Sequence, residues 1–354
     1  MNILHITDIA NPEGNGVAVA VENYAKYLSL KANVAIFCLD GNIGDNKVLT
    51  YNYSKYDKIE NLPKPYSKPD IVVFNEVYKP KYIKLYKECL KNSIPYVIIP
   101  HGCLVKGSQN EKKIKKNIGN LLLFNKFIRN ACAIQFLNKN EKNNTFLKYK
   151  ESIISGNGID FSNISINKPQ NNNLIYIGRY SIYIKGLDLL VEICNKNKEW
   201  FRNNKVCIEL YGRDSLNGLE ILRNEISKNN LEDILKLNDA IYSDKKKKIL
   251  EKSYAFIQIS RHEGQPMGII EALAYGLPCI VTNGTSFGEY VNNNKCGYGS
   301  GFNSEEIFKN IKKLYDDKNI RNEMSKNAIE CSKKDFDWNN IIDNLIKNYE
   351  KIIK

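Results

Sequence analysis

The chain has 354 residues, 43% of them hydrophobic, which is long for one packed core and makes two domains the expected organisation. No run of eighteen apolar residues occurs, so neither a transmembrane helix nor a signal peptide is expected, and nine cysteines without a Cys-x-x-Cys pair exclude a disulfide framework and a zinc site and point to a reducing cytoplasm. A net charge of +13 suits nucleic acid, an anionic membrane surface or a phosphorylated substrate, and a lysine- and asparagine-rich genome would produce it equally, so charge alone selects no partner.

In chain order, Ile3 to Thr7 reads as a strand, Pro12-Glu13-Gly14-Asn15-Gly16 as a glycine loop and Val17 to Leu30 as a helix. Gly14 and Gly16 would let the backbone come close to a ligand, or serve only a tight turn. The segment Gly41 to Lys68 is polar and turn-rich, and no element is assigned there. Val34–Cys38, Ile71–Phe74, Tyr96–Ile99, Ala133–Phe136 and Ile153–Ile154 are further strands, with helical patterns at Lys79–Lys91, Lys112–Arg129 and Lys139–Lys148. This alternation predicts a doubly wound α/β domain.

Pro100-His101-Gly102 ends a strand, which puts His101 at the rim as a substrate contact or as a hydrogen-bonded turn residue. Lys112, Lys113, Lys115 and Lys116 precede Leu121-Leu122-Leu123-Phe124. That pattern fits a helix lying on anionic lipid, and it fits a solvated lysine face backed by core leucines.

Ser155-Gly156-Asn157-Gly158-Ile159-Asp160 and the polar stretch after it mark a linker. The next domain opens with the strand Leu174–Ile177, then Gly178-Arg179 and, before a helix near Leu187, Lys185-Gly186. Arg179 as a planar fork and Lys185 as a point charge could bracket a diphosphate, against the alternative of plain surface charge at a helix start. Val206–Tyr211 is a strand closed by Gly212, where a nucleotide base could stack, and a lysine-rich helix ends near Lys252. Gly297-Tyr298-Gly299 reads as a turn. Phe336–Ile352, with Trp338 and Tyr349, has the aromatic spacing of a docking helix.

The most informative stretch runs from Ser260 to Pro278 between apolar strands at Ala255–Ile259 and Cys279–Thr282. Pro266 suits a helix start, and Gly276 with Pro278 a stop. Unpaired N–H groups of the loop and first turn then face whatever lies beyond the strand end, where open parallel sheets hold their ligands. Glu263 and Glu271 are eight positions apart, about 12 Å on a helix. That exceeds the carboxyl separation of about 9.5 Å that glycosidases tolerate, so the two glutamates are expected to hold different parts of one long ligand.

Glu263, seven residues and Glu271, with Glu-Gly-Gln-Pro-Met-Gly inside and Glu-Ala-Leu-Ala-Tyr-Gly-Leu-Pro after it, resembles the signature of the family 4 retaining glycosyltransferases. The resemblance is close from Ile175 to Val291 and looser before Asp70. It implies the GT-B fold, two Rossmann-like doubly wound domains facing across a cleft. Residues 1–157 would form the acceptor-side domain, 158–335 the nucleotide-sugar domain, and 336–354 a helix docking back on the first. It implies transfer of a sugar from a nucleotide-activated donor to a glycan or lipid-linked glycan hydroxyl with retention of configuration, in bacterial surface-polysaccharide assembly.

Carried over by motif, Glu263, Arg179, Lys185 and His101 are the candidate catalytic residues. Glu271 would bind the ribose hydroxyls, and Gly264, Gln265, Pro266, Met267, Gly268 and Ile269 the sugar and phosphates through backbone N–H groups. Gly14, Gly16, Gly178, Gly212 and Thr285 complete the expected donor site, and Lys246 matches the lysine that opens its helix in the family. No aspartate cluster of metal-binding type accompanies the phosphate site, so no metal or other cofactor is expected. A cytoplasmic protein, able to touch the inner membrane face through Lys112–Phe124, follows from the same reading. A nucleotide-sugar epimerase of this architecture is the first alternative. A nucleic-acid-binding protein is the second, and it is disfavoured because no aromatic-interleaved basic groove is present.

Overall fold

A computed structural model describes residues 1–8, 16–40, 48–105, 119–145, 147–166 and 169–354. Gly14 and the lysines at 112, 113, 115 and 116 lie outside the described residues. The chain divides into two compact units, one of Met1–Asn157 with Trp338–Lys354 and the other Gly158–Asp337. No helix among the described residues is long and apolar enough to cross a membrane.

In the first unit, β1 (Asn2–Thr7), β2 (Asn33–Cys38), β3 (Thr50–Asn52), β4 (Ile71–Asn75), β5 (Tyr96–Ile99), β6 (Ala133–Phe136) and β7 (Glu151–Ile154) form one sheet in the order β3-β2-β1-β4-β5-β6-β7. Neighbouring strands run parallel. The strands are apolar on both faces because helices cover both. Leu4, Ile6, Val72 and Phe74 enter one core, and Ile3, Val73, Val97 and Ile99 the other. The helix Gly16–Leu28 buries Ala18, Val21, Tyr24, Ala25 and Leu28, the spacing of a single apolar stripe. Against it lies the helix Trp338–Ile353, whose indole meets Tyr24 edge-on and Tyr27 face-on, both at 5.0 Å between centroids. Tyr349 donates to Gln135 Oε1 at 2.8 Å beneath β6.

The second unit has a parallel sheet of β8 (Leu174–Ile177), β9 (Ile208–Tyr211), β10 (Leu235–Asn238), β11 (Ala255–Gln258), β12 (Cys279–Thr282) and β13 (Gly297–Ser300) in the order β10-β9-β8-β11-β12-β13. Its two faces pack into separate cores, one with Leu174, Tyr176 and Leu210, the other with Ile175, Phe256 and Val281. Strand order reverses between β8 and β11, so the loops leaving their carboxyl ends are neighbours. That is the position where doubly wound sheets bind ligands.

Several local expectations are corrected. Gly297-Tyr298-Gly299 is not a turn but part of β13, paired in register with Cys279–Val281, because strand pairing overrides the weak strand preference of glycine. Leu235–Asn238 is a strand that its charged, short sequence conceals. The pattern Lys139–Lys148 yields a helix only at Lys139–Asn143. The last helix starts at Trp338 and not at Phe336, which instead closes the preceding helix Lys318–Phe336. In the unassigned segment, a short helix at Tyr53–Tyr56 follows β3, capped by Asn52.

Candidate functional site

The site of the second unit grows from the two switch-point strands. After β8 the chain turns through Gly178 and Arg179 into a short helix, Ile182–Lys185, that ends at Gly186 with φ +68°. A side chain at Gly186 would be strained by that angle, and its Cβ would stand 2.1 Å from Ile259 O. Only glycine therefore lets the lysine loop lie directly on the end of β11. After β11 the segment Ile259–Pro266 forms the facing loop, and the helix Met267–Ala274 starts behind Pro266, which occupies the N-cap position.

The loops meet through charge. Lys185 Nζ is ion-paired with Glu263 Oε1, both side chains largely buried. The same oxygen accepts from Gln258 Nε2 at 2.8 Å and Ser260 Oγ at 2.9 Å. Glu263 N–H donates to Gly284 O at 2.9 Å, which ties the loop to the turn after β12. With Oε1 so committed, Oε2 has no hydrogen-bond donor among the described residues. Arg179 is exposed, and its guanidinium has no protein acceptor among the described residues. One helical turn into Met267–Ala274, Glu271 Oε1 accepts from Lys246 Nζ at 2.6 Å. Each glutamate is thus held by one oxygen through its own lysine, a geometry that leaves a second acceptor oxygen available.

A clip outside the pair holds the two loops together. Arg261 forks onto Asp188 at 2.6 and 2.7 Å, donates to Tyr183 O at 2.8 Å and lies 4.3 Å from the Tyr183 ring centroid. Its own N–H donates to Ile184 O at 2.8 Å, next to Lys185.

The other expected donor residues take varied places. Gly264, Gln265, Met267 and Gly268 are half-buried in the loop and first turn, while Pro266 and Ile269 are buried. Gly268 packs on Phe256 and Ile177, and Gly178 on Tyr176. Gly212 lies against the Gly178 carbonyl, where a Cβ would come within 2.0 Å. It brings the end of β9 onto the end of β8. Thr285 is fully buried, its hydroxyl donating to Thr282 O at 2.7 Å and accepting from Phe287 N–H at 3.2 Å. Its side chain therefore shapes the turn rather than facing a ligand.

In the first unit Gly16 opens its helix. His101 follows β5 with φ +49°, a left-handed angle uncommon for residues other than glycine. Two contacts hold it there. His101 Nε2 lies 3.1 Å from Asn75 Oδ1, and the adjacent Gly102 N–H donates to Glu141 Oε1 at 2.6 Å. Asn75 spends its amide N–H groups on Ile6 O and Val73 O, so Oδ1 is the acceptor and His101 carries its proton on Nε2. Burial lowers the His101 pKa to about 4, so the ring is neutral at pH 7 with an acceptor at Nδ1. Glu141 is itself buried and raised by burial, and it also accepts from Leu137 N–H at 2.7 Å.

Gln258, Ser260, the Arg261–Asp188 clip, Asn75 and Glu141 were not expected from the sequence. Gln258 carried a signal, being the one strongly polar residue inside the apolar β11.

Residues 160–330 match the family model described as Glycosyl transferases group 1. No curated protein sequence matches the chain. Solved structures that it resembles include HepE of Anabaena in complex with UDP and glucose, at 15% identity and TM-score 0.74, covering 99% of this chain and 100% of that one. Sucrose-phosphate synthase from Thermosynechococcus elongatus aligns at 16% identity and TM-score 0.74 over 99% and 98%. A glycosyltransferase from Rickettsia africae aligns at 16% and 0.75 over 100% and 98%. At these identities the likeness is one of fold, the GT-B fold with its two Rossmann-like α/β units. Residues 160–330 are accordingly similar to the glycosyl transferases group 1 family, within a chain of GT-B fold.

Proposed function

We propose that this chain is a family 4 retaining glycosyltransferase that moves a sugar from a nucleoside diphosphate sugar to an acceptor hydroxyl, in the assembly of a bacterial surface polysaccharide. The observation that carries the reading is the switch-point arrangement of the second unit. Arg179, Lys185 and the start of helix Met267–Ala274 supply positive charge beside two glutamates that each keep an oxygen uncommitted. The domain match over residues 160–330 supports it, as do fold neighbours solved with UDP, with UDP and glucose, and with UDP-glucose. Uridine diphosphate sugars are therefore the first donors to try.

In this reading Glu271 Oε2 accepts from the ribose hydroxyls and Glu263 Oε2 from hydroxyls of the transferred sugar. The bond between the sugar's anomeric carbon and the diphosphate oxygen breaks, and its electron pair stays on the diphosphate. Arg179, Lys185 and the helix start then bind that growing charge more tightly than they bind the ground state, and this difference lowers the barrier. The acceptor oxygen attacks from the face the diphosphate leaves, and its proton passes to the departing phosphate oxygen. Protein cations take the part a metal would play, so transfer is proposed to need no divalent ion. His101, neutral with Nδ1 open, contacts the sugar or the acceptor.

The test is a thermal-shift screen of the purified protein against nucleoside diphosphates and their sugars, with and without magnesium, followed by product analysis with the stabilising donor. A native-state ligand raises the unfolding temperature. Stabilisation by one nucleotide family and an α-linked product from an α-linked donor support the proposal. An inverted product, or no response to any nucleotide, overturns it.

A further inference from the structure

A second charged feature lies at the other end of the same two strands. The long helix Lys318–Phe336 points Met324, Ala328 and Cys331 into the apolar core of its unit. The positions Lys318, Arg321, Asn322, Ser325 and Lys326, spaced i, i+3, i+4, i+7 and i+8, form a different face. That face lines a cavity of about 750 Å³ together with Asn171, Asn172 and Tyr254, residues that stand just before β8 and β11. The loops holding Lys185 and Glu263 leave the opposite, carboxyl ends of these strands, and none of their residues lines this cavity.

Arg321 is the feature that needs explaining. It is 6% exposed, and burial pulls its pKa below the usual arginine value with no carboxylate among the opposing influences. Its Nε and Nη2 donate to Tyr254 O at 3.3 and 3.1 Å, and its guanidinium carbon lies 5.1 Å from the Tyr254 ring centroid. The remaining N–H groups have no protein acceptor among the described residues. Neither Arg321, Lys318 nor Lys326 has an ion-pair partner among the described residues. The nearby Asp317 carboxylate caps the helix, accepting from Asn319 and Ile320 N–H. A buried, uncompensated charge is costly, and buried arginines are ordinarily paired with anions. The cavity also falls within the size range of small-molecule sites.

We propose that this cavity is a second anion site that takes a phosphate group, either free or as the ester of a small hydroxylated molecule or a lipid headgroup. Arg321 supplies the fork that matches phosphate oxygens, Lys318 and Lys326 the neutralising charge, and the asparagines donors for hydroxyls. The proposal is independent of the transfer reading, since it uses none of the same residues.

The test is calorimetric titration of the full chain with inorganic phosphate and with glycerol 3-phosphate at constant ionic strength, beside sedimentation with phosphatidic acid vesicles. The probes are applied to wild type, to Lys318→Ala/Lys326→Ala, to Arg321→Lys and to Arg179→Ala/Lys185→Ala. The double lysine variant removes only exposed side chains and so keeps the fold. Expected is saturable binding weakened about tenfold or more in the Lys318/Lys326 and Arg321 variants, as loss of charge-assisted bonds implies, and persisting in the Arg179/Lys185 variant, which removes only phosphate held at the proposed transfer site. Response to soluble phosphates identifies a free ligand, and response to vesicles alone, with the same variant pattern, a lipid headgroup. Absence of binding by all three probes, or binding that the Lys318/Lys326 and Arg321 variants leave intact, overturns the proposal.

Discussion

Lys185 and Glu263, 78 positions apart in sequence, form an ion pair at the adjoining carboxyl ends of β8 and β11. The lysine that the proposed reaction assigns to phosphate is thus held in place by the glutamate assigned to the sugar. Donor binding would add a second anion to the same ammonium, drawing diphosphate and sugar toward one point.

Lys185→Ala and Glu263→Gln are expected to lower kcat for transfer by about 100-fold or more, the range seen when one donor to a developing charge is removed. Glu263→Gln keeps the shape of the carboxylate, so circular dichroism should be that of the wild type. Turnover at the wild-type rate in both variants would remove Lys185 and Glu263 from the mechanism.

Glu271→Ala should act differently. Its carboxylate is proposed to hold the part of the donor that does not react, so KM should rise about tenfold or more, the worth of a hydrogen bond to a charged group, with kcat nearly kept. Steady-state kinetics with a saturable donor separates the two patterns, and a fall in kcat alone would speak against a ribose contact.

Arg261 and Asp188 brace the lysine loop without being placed at the substrate. Either alanine variant should cost stability only modestly, about 1 kcal/mol or less for a partly exposed pair, while reducing kcat several-fold by loosening Lys185. The double variant should be no worse than either single one. Additive losses in chemical denaturation and in kcat would show that the two side chains act separately.

Acid should destabilise the fold through the histidines before the carboxylates titrate. His101 is lowered to about 4 and His5 to about 3, both chiefly by burial, while the unfolded chain takes up protons near the ordinary value of about 6.5. Below that value the unfolded state binds more protons, so the unfolding temperature should fall from pH 6.5 downward and go on falling until the native rings protonate. Thermal melts from pH 7.5 to 5 check this, and His101→Asn should show the shallower decline.

Much of this architecture was legible in the residues. The strands β1, β4, β5, β6, β8, β11 and β12 are apolar runs bounded by turn residues, and burial on both faces leaves such strands few alternatives. The Glu263 to Glu271 segment announced a loop and helix at a strand end. The partners that hold the glutamates were harder to read. Gln258 and Lys246 lie 5 and 25 positions from theirs, and the turn of the loop after β11 and the packing of the segments flanking that strand bring them close. Thr285 shows the converse, a residue of the expected type whose hydroxyl is used up inside its own turn. The strands β10 and β13 stayed hidden because lysine, asparagine and glycine adopt extended backbone there only when a neighbouring strand supplies the hydrogen bonds.

Trp338 anchors the last helix against Tyr24 and Tyr27 at 2% exposure. Trp338→Ala should lower the unfolding free energy by about 3 kcal/mol or more, as large-to-small core changes of aromatic residues do. A change below about 1 kcal/mol, the usual surface effect, would mean that the helix is not needed to complete the first unit.

That last helix also sets an order of assembly. The first unit is built from residues 1–157 and then 338–354, while everything between them belongs to the second. On the ribosome, the second unit has all its strands in hand before the helix that covers Tyr24 has been made. Residues 1–157 therefore wait on a later segment, with one face of their sheet lacking the Trp338 helix until residues 338–354 emerge.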